Sequence, residues 1–245
     1  MSAPEDISGD AAVLVCDLDG TLVDSLPDLA AAVGELLEAE GRPGLSHEAV
    51  AAMVGDGVPK LIERALAATG GVPAEAELAA MVARYMPIYE ARLTELTRPY
   101  PGAIETLKAL KAAGWRLAVC TNKPEAPSRA ILAGLGFDGL FEAVSGGDSL
   151  AVKKPDPGHV LGLLAELGVV PGAAPGAAPS AASGVAVMLG DSANDVQAAQ
   201  AAGLPAIAIA HGYGGTPARE LGADRVIESF AELPAALEAL GFGTA

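Results

Sequence analysis

Aromatic residues, cysteines and positive charges are all scarce in this chain of 245 residues. Only 4% of the residues are aromatic, while 51% are hydrophobic and belong mainly to Ala, Val and Leu. This composition excludes a disordered chain and favours helices packed closely on an aliphatic sheet. No apolar run reaches the roughly 20 residues that a transmembrane helix requires, so no membrane partner is expected.

The shortage of cysteine also bears on the cellular compartment of the protein. The two cysteines, Cys16 and Cys120, each end an apolar run, which predicts buried, reduced thiols rather than a disulfide framework. The first six residues lack the basic and then apolar pattern of a signal peptide. Together these observations predict a cytoplasmic protein.

Positive charge is in the minority, with 15 Lys and Arg against 31 Asp and Glu and a net charge of −16. Such a balance argues against nucleic acid or an anionic membrane surface as a partner. A small anionic ligand would need a local cation, such as a bound metal, a buried lysine or helix N-termini.

Short apolar runs alternate with amphipathic segments through much of the chain. The pattern predicts an α/β protein with a doubly wound parallel sheet that is covered by helices on both faces. Residues 26–96 interrupt this alternation, because their pattern predicts helices and no strand. We therefore expect a core of residues 1–24 and 98–245, with an inserted helical cap domain of residues 25–97. Residues 171–183, rich in Pro, Ala, Gly and Ser, are expected to form a surface loop.

Polar residues follow the predicted strands, and such sheets bind ligands beyond the carboxyl ends of their strands. Asp17 and Asp19 follow the first strand, and a spacing of two places them on the same side if the extended pitch continues. Two close carboxylates require a cation or a shared proton, which suits metal-assisted acid–base chemistry. The remaining candidates are Thr121, Asn122, Lys154, Asp191 and Asp195.

The order of these residues resembles the motifs of the haloacid-dehalogenase superfamily of phosphohydrolases. The matching motifs are Asp17-x-Asp19-Gly20-Thr21, Thr121, Lys154 before Pro-Asp-Pro, and Gly190-Asp191-Ser192-x-x-Asp195. Three segments resemble more narrowly the phosphoglycolate phosphatase branch: residues 98–102, 54–57 and 190–195. The resemblance implies a Rossmann-like core and a small phosphorylated metabolite as substrate.

The resemblance also implies roles for the leading residues. Asp17 would attack phosphorus and form an aspartyl phosphate, and Asp19 would act as general acid and then general base. Mg²⁺ would be held by the carboxylates of Asp17 and Asp191 and by the backbone carbonyl of Asp19. Lys154 would neutralise charge on Asp17 and on the phosphoryl group.

Supporting roles are implied for the residues around them. Thr121, with Asn122 and adjacent backbone amides, would hold phosphoryl oxygens. Thr21, which follows Gly20, is expected to orient Asp19. Asp195 is expected to support the metal waters or Lys154, or else to be a first-turn acid that complements a helix dipole.

Several alternatives stay open in the sequence. Lys153 competes with Lys154, although Lys154 directly precedes the Pro-Asp-Pro segment. In the cap, Asp56, Lys60 and Arg64 face either the site or solvent. The three histidines show no metal spacing. The loop that begins at His211 follows a predicted strand and is interpreted either as a plain loop, which is favoured, or as a segment that lines the crevice.

These observations favour a Mg²⁺-dependent phosphatase for a small organic phosphate, foremost 2-phosphoglycolate, acting as a monomer or homodimer. A sugar-phosphate mutase of the β-phosphoglucomutase type is the alternative, because it would use the same aspartate pair. A phosphatase for another small phosphate or for pyrophosphate also fits the motifs. A receiver-like signalling module would not need the helical insertion, and a dehalogenase would not need Asp19.

Overall fold

Strands and helices alternate along the chain, which the computed structural model describes over residues 12–169, 186–213 and 215–242. The strands in this part are β1 (Val13–Cys16), β2 (Val23–Asp24), β3 (Arg98–Pro99), β4 (Arg116–Cys120), β5 (Ala143–Ser145), β6 (Ala186–Gly190), β7 (Ala206–Ile209) and β8 (Arg225–Ile227). The α-helices are α1 (Leu26–Ala39), α2 (His47–Ala51), α3 (Val58–Ala68), α4 (Glu75–Glu90), α5 (Ala103–Ala112), α6 (Glu125–Gly134), α7 (Pro157–Glu166), α8 (Ala193–Ala201) and α9 (Leu233–Ala239).

The main sheet has six strands in the order β5-β4-β1-β6-β7-β8, and all of its pairings are parallel. Counting only its own strands along the chain, this order is 3-2-1-4-5-6, the Rossmann-type arrangement. The order reverses between β1 and β6, and the crevice at such a reversal is where doubly wound sheets bind ligands. The predicted doubly wound α/β fold is confirmed.

Both faces of the sheet are buried, as the continuous apolar strands predict. In β1, Leu14 and Cys16 pack on one face with residues of α5, α6 and α9. Val13 and Val15 point to the other face and pack with residues of α7 and α8. This alternation, with a period of two residues, fixes which side chains reach the carboxyl end of the strand.

Helices α1 to α4 lie between β2 and β3 and have a hydrophobic core of their own. Leu36, Ile62 and Tyr85 are among its fully or almost fully buried members. We call residues 25–97 the helical insertion. Its all-helical character agrees with the sequence pattern, while its role as a separate domain remains a prediction.

The two ends of the helical insertion meet in a feature that the sequence did not predict. β2 and β3 pair antiparallel, with Val23 opposite Pro99 and Asp24 opposite Arg98. Strands of two residues are too short to show an alternating pattern, and a proline is compatible with the edge of such a ribbon. The ribbon places the entry and exit of the insertion side by side.

Cys16 and Cys120 are free and fully buried, which confirms the predicted thiols, and burial raises the pKa of Cys120 to about 12.

Across the described ranges, the structure contains no helix with the length and apolar character needed to cross a bilayer. The first six residues and the predicted surface loop at residues 171–183 lie outside the described residues.

Candidate active site

The site begins at the two strands where the sheet order reverses. Asp17 follows β1 and Asp191 follows β6, and the backbone N–H of Asp17 donates to Leu189 O of β6 at 2.9 Å. Both carboxylates are buried, with Asp17 8% and Asp191 6% exposed. The structure therefore brings together two acids that lie far apart in the sequence.

Lys154 lies at the centre of the acidic group. Its Nζ is 3.0 Å from Asp17 Oδ1 and 2.6 Å from Asp195 Oδ1, and it donates to Cys120 O at 2.5 Å. The side chain is almost completely buried. Lys153, its rival in the sequence, instead points outward and donates to Asp56 O.

The electrostatics of this group favour a further cation. Burial raises the pKa of Asp17 to about 6 despite the opposing Lys154 ammonium. Burial, followed by the charges of Asp195 and Asp17, raises the pKa of Asp191 well above its usual range. One oxygen from each of these three aspartates lies within 4.8 Å of the others. A single lysine leaves this cluster with excess negative charge, which a divalent cation would balance.

Asp195 is already occupied by protein partners. Its Oδ1 binds Lys154, and its Oδ2 accepts from Ser192 N at 3.0 Å and from Ser192 Oγ at 2.7 Å. Asp195 therefore supports Lys154 and also closes the first turn of α8, whereas its expected support of metal waters remains a prediction. Asp191 accepts one hydrogen bond on each oxygen, and Asp17 has its partners on Oδ1 alone. These two carboxylates therefore keep more acceptor capacity than Asp195, and oxygen donors suit Mg²⁺.

The backbone at Gly20 lies very close to the Asp191 carboxylate and limits its position. Gly20 has φ +82°, and a Cβ at this position would lie 2.5 Å from Asp191 Oδ2. Thr21 Oγ1 donates to Asp191 Oδ1 at 2.8 Å. The expectation that Thr21 orients Asp19 is therefore wrong, because the tight turn at Gly20 directs the hydroxyl toward the neighbouring strand end.

Asp19 has different partners. Its Oδ1 accepts from Ser25 Oγ at 2.5 Å, and Lys123 Nζ lies 3.0 Å from Oδ1 and 2.9 Å from Oδ2. Lys123 is only 4% exposed. Asp19 thus lies beside the Asp17 cluster but belongs to a separate ion pair on the side of the helical insertion.

Thr121 and Asn122 follow β4, as predicted, but their side chains have different hydrogen-bond partners. Thr121 is buried, and its Oγ1 accepts from Lys123 N at 3.3 Å. Asn122 Nδ2 donates to Gly55 O and to Lys154 O, each at 2.9 Å. The Asn122 side chain therefore connects the insertion to the Lys154 loop, and its expected role in phosphate binding remains a prediction.

The loop at residues 54–57 of the insertion rests on the core. Asn194 Nδ2 donates to Asp56 Oδ1 at 2.8 Å and to Gly55 O at 3.2 Å. Arg64 forms an ion pair with the other oxygen of Asp56 and donates to Met53 O at 2.9 Å. Asp56 and Arg64 thus hold the loop in shape, whereas Lys60 pairs with Glu63 on an exposed helix face.

Three functional contacts escaped the sequence analysis. Lys123 and Ser25 bind Asp19, and Tyr213 N donates to Asp191 Oδ2 at 3.0 Å. The loop that begins at His211 lies against the acidic cluster because β7 neighbours β6, which agrees with the alternative that it lines the crevice. Its position directly after a strand was the signal available, whereas nothing in the sequence pairs Lys123 with Asp19.

A cleft opens between these groups and the insertion. Polar residues of the core form its floor, and aliphatic residues of the insertion form its roof. The lining consists of Asp17, Asp19, Leu29, Val54, Gly55, Gly57, Val58, Leu61, Thr121, Asn122 and Lys123.

The fold and this site together define a class of protein. Its members have a doubly wound α/β core and a cluster of buried aspartates beneath a helical insertion. The family model "haloacid dehalogenase-like hydrolase" matches residues 11–203. The chain belongs to this family, which confirms the resemblance carried by the sequence motifs.

Curated relatives narrow the comparison. The chain is 42% identical over 237 residues to a phosphoglycolate phosphatase of Caulobacter vibrioides, covering 96% of this chain and 94% of that protein. It is 42% identical over 228 residues to a phosphoglycolate phosphatase of Rhodospirillum rubrum, covering 90% and 88%. These relatives indicate that the protein is an enzyme of the phosphoric monoester hydrolase class.

Solved structures agree with this assignment. A predicted phosphoglycolate phosphatase from Haemophilus somnus 129pt superposes with a TM-score of 0.83 at 32% identity, covering 94% of this chain and 99% of that one. CbbY from Rhodobacter sphaeroides, solved in complex with phosphate, gives a TM-score of 0.74 at 30% identity, covering 91% and 96%.

Proposed function

We propose that this protein is a Mg²⁺-dependent phosphatase that hydrolyses a small organic phosphate monoester, foremost 2-phosphoglycolate, in the cytoplasm. The observation that carries the proposal is the buried arrangement of Asp17, Lys154 and Asp191 at the point where the sheet order reverses. The curated relatives named phosphoglycolate phosphatase support the choice of substrate. A small phosphorylated metabolite is the only partner proposed.

The metal site follows from the donor set. Asp17 and Asp191 would supply carboxylate oxygens, and Asp19 would supply its backbone carbonyl, all of which are hard ligands. When bound, Mg²⁺ would neutralise charge on the phosphoryl oxygens and reduce the repulsion between the two buried carboxylates. The remaining chemistry is assigned to side chains of this chain.

In the first half-reaction, a carboxylate oxygen of Asp17 attacks phosphorus, and the bond from phosphorus to the ester oxygen breaks. Asp19 donates a proton to the departing alkoxide. In the second half-reaction, Asp19 accepts a proton from a water that attacks the phosphorus of the aspartyl phosphate. Inorganic phosphate leaves, and Asp17 is restored.

Positioning groups surround these two aspartates. Ser25 fixes Asp19 through its hydroxyl, and Lys154 keeps a positive charge beside Asp17. Thr121 and nearby backbone amides would bind phosphoryl oxygens at the end of β4. Because phosphoryl transfer depends mainly on position and charge neutralisation, these groups account for much of the expected rate.

We further propose that residues 25–97 form a cap domain on a core of residues 1–24 and 98–245. The aliphatic lining from the insertion would exclude bulk water during phosphoryl transfer, and opening would admit water and release products. The contacts of Asn122 and Asn194 with Gly55 support a closed position in the present structure.

Steady-state assays on a panel of small phosphate esters, with and without Mg²⁺, test the proposal. We expect stoichiometric release of inorganic phosphate from 2-phosphoglycolate with the largest kcat/KM in the panel. An isomerised sugar phosphate formed without phosphate release would instead establish the mutase alternative. A larger kcat/KM for pyrophosphate or another ester would move the assignment to that substrate.

A further inference from the structure

Lys123 lies in the cleft but has no part in the steps derived above. We propose that Lys123 Nζ binds a carboxylate of the leaving group and so makes this enzyme selective for phosphate esters with a carboxylate next to the ester oxygen. This inference rests on the proposed phosphatase function and names a specificity-determining residue for it.

The ammonium is buried and held in place. Lys123 is 4% exposed, and its Nζ lies 4.5 Å from the centroid of the Tyr89 ring. The ring of Tyr85 stacks on Tyr89 with centroids 5.7 Å apart. A cation over an aromatic face is stabilised by the ring quadrupole, so this packing fixes a positive charge at one point of the cleft.

One donor of Lys123 remains available in this arrangement. An ammonium group has three N–H donors, and two of them are directed at the two oxygens of Asp19. The third donor can therefore bind a ligand oxygen while the pair with Asp19 is retained. Lys123 is also the one cationic side chain among the described residues that line the cleft.

The other nearby cations are already engaged. Lys154 is bound by Asp17 and Asp195 on the phosphoryl side of the site. Arg64 pairs with Asp56, and Lys153 donates to the backbone of the same residue. A second anionic group of a substrate would thus meet Lys123 on one side and the aliphatic roof on the other.

The location of Lys123 determines where the second anionic group of a substrate would lie. Asp19 must contact the ester oxygen to protonate it, and Lys123 Nζ lies 2.9 Å from Asp19 Oδ2. A group bound by Lys123 is therefore adjacent to the ester oxygen and away from phosphorus. In 2-phosphoglycolate, one methylene separates the ester oxygen from the carboxylate, which matches this placement.

The test compares 2-phosphoglycolate with 2-hydroxyethyl phosphate, which has a hydroxymethyl group in place of the carboxylate. We expect Lys123→Met to lower kcat/KM on 2-phosphoglycolate by about 100-fold, as for loss of a buried charge pair. On 2-hydroxyethyl phosphate, which is affected only through the lost pairing of Lys123 with Asp19, the loss should be at least about tenfold smaller. Lys123→Arg should retain most of the preference, and the exposed Lys60→Met should keep both values.

Equilibrium binding supplies a readout that does not depend on turnover. The probes are 3-phosphonopropionate, a non-hydrolysable analogue of 2-phosphoglycolate, and propylphosphonate, which lacks the carboxylate. Calorimetry on the wild type should show tighter binding of the first, and Lys123→Met should remove that difference. If Lys123→Met does not fold, Lys123→Gln takes its place in both measurements.

Each outcome bears on one of the two proposals. Equal losses on both esters, or a carboxylate preference that survives in Lys123→Met, would overturn the role of Lys123. A wild type that releases phosphate from both esters without preference would overturn it as well and leave the phosphatase proposal intact. Carboxylate-dependent binding without any phosphate release would support the site and refute the phosphatase.

Discussion

The carboxylate of Asp28, at the start of α1, binds Thr97, the residue just before β3. Asp28 Oδ2 accepts from Thr97 N at 2.7 Å and from Thr97 Oγ1 at 2.6 Å, and both residues are fully buried. Leu96 N also donates to this carboxylate, at 3.0 Å to the same oxygen. One acid thus fastens the outgoing and returning chain segments of the helical insertion.

Removing this acid should destabilise the protein. In Asp28→Ala the donors of Leu96 and Thr97 lose their acceptor inside the structure, and we expect a loss of about 2–4 kcal/mol in the free energy of unfolding. Urea denaturation measures it. Glu38→Ala, which removes an exposed acid from the same helix, serves as the control and should change stability by less than about 0.5 kcal/mol. Similar losses in the two variants would contradict the role of Asp28.

Replacing the proposed nucleophile should abolish turnover without unfolding the protein. Asp17→Asn keeps the shape of the side chain but removes the attacking oxyanion, so we expect kcat to fall by about 10⁴-fold or more. Phosphate release measures the activity, and circular dichroism checks the fold. A folded Asp17→Asn variant with activity within tenfold of the wild type would refute the assignment.

The close approach at Gly20 makes a second prediction about the site. Gly20→Ala should lower kcat by about 100-fold, because its Cβ would displace the Asp191 carboxylate. Gly222→Ala is the matched control, since Gly222 has φ +75° with open space around its Cβ position. The control should cost about 1 kcal/mol of stability and leave kcat unchanged. A wild-type kcat in Gly20→Ala would show that the contact is unimportant.

The contact of Asn194 with the loop at residues 54–57 should favour the closed cap. Asn194→Ala removes the hydrogen bonds to Gly55 O and Asp56 Oδ1, so we expect KM to rise about three- to tenfold. Amide hydrogen exchange at residues 54–57 should become faster. Gln197→Ala, an exposed change on the same helix, should alter neither quantity. Unchanged exchange in Asn194→Ala would argue against the closed state being held this way.

His159 should make stability depend on pH. Burial, aided by the nearby Lys154 charge, lowers the pKa of His159 to about 4, and its Nε2 contacts Ser145 Oγ at 3.0 Å. Below the unfolded pKa near 6.5, the unfolded chain binds a proton that the folded protein does not. The contribution of His159 to the free energy of unfolding is therefore fully present above pH 6.5 and is lost as pH falls toward 4. The expected loss is about 2 kcal/mol between pH 7 and 5.

Urea denaturation of wild type and His159→Gln at several pH values checks this dependence. We expect the wild type to lose more stability than the variant between pH 7 and 5, because glutamine does not titrate and still offers an amide to Ser145. Parallel pH profiles for the two proteins would show that His159 carries no such penalty.

The sequence predicted the parts of the site that lie directly after strands. Asp17 and Asp191 come together because parallel strands end at the same edge of a sheet, a rule that needs no coordinates. The pairing of Lys123 with Asp19 could not be predicted, because it depends on how the loop after β4 turns. The contact of Asn122 with Gly55 likewise depends on where the helical insertion rests, and no local pattern encodes that position.

The ribbon formed by β2 and β3 has a consequence for how the roof of the cleft could be exchanged. Because the insertion leaves and re-enters the core through paired residues, its two ends are neighbours, and a different helical segment could be grafted between Asp24 and Arg98 without moving the sheet. Asp17, Asp191 and Lys154 all lie outside residues 25–97. A different roof over the cleft could therefore be built without moving the proposed reacting groups.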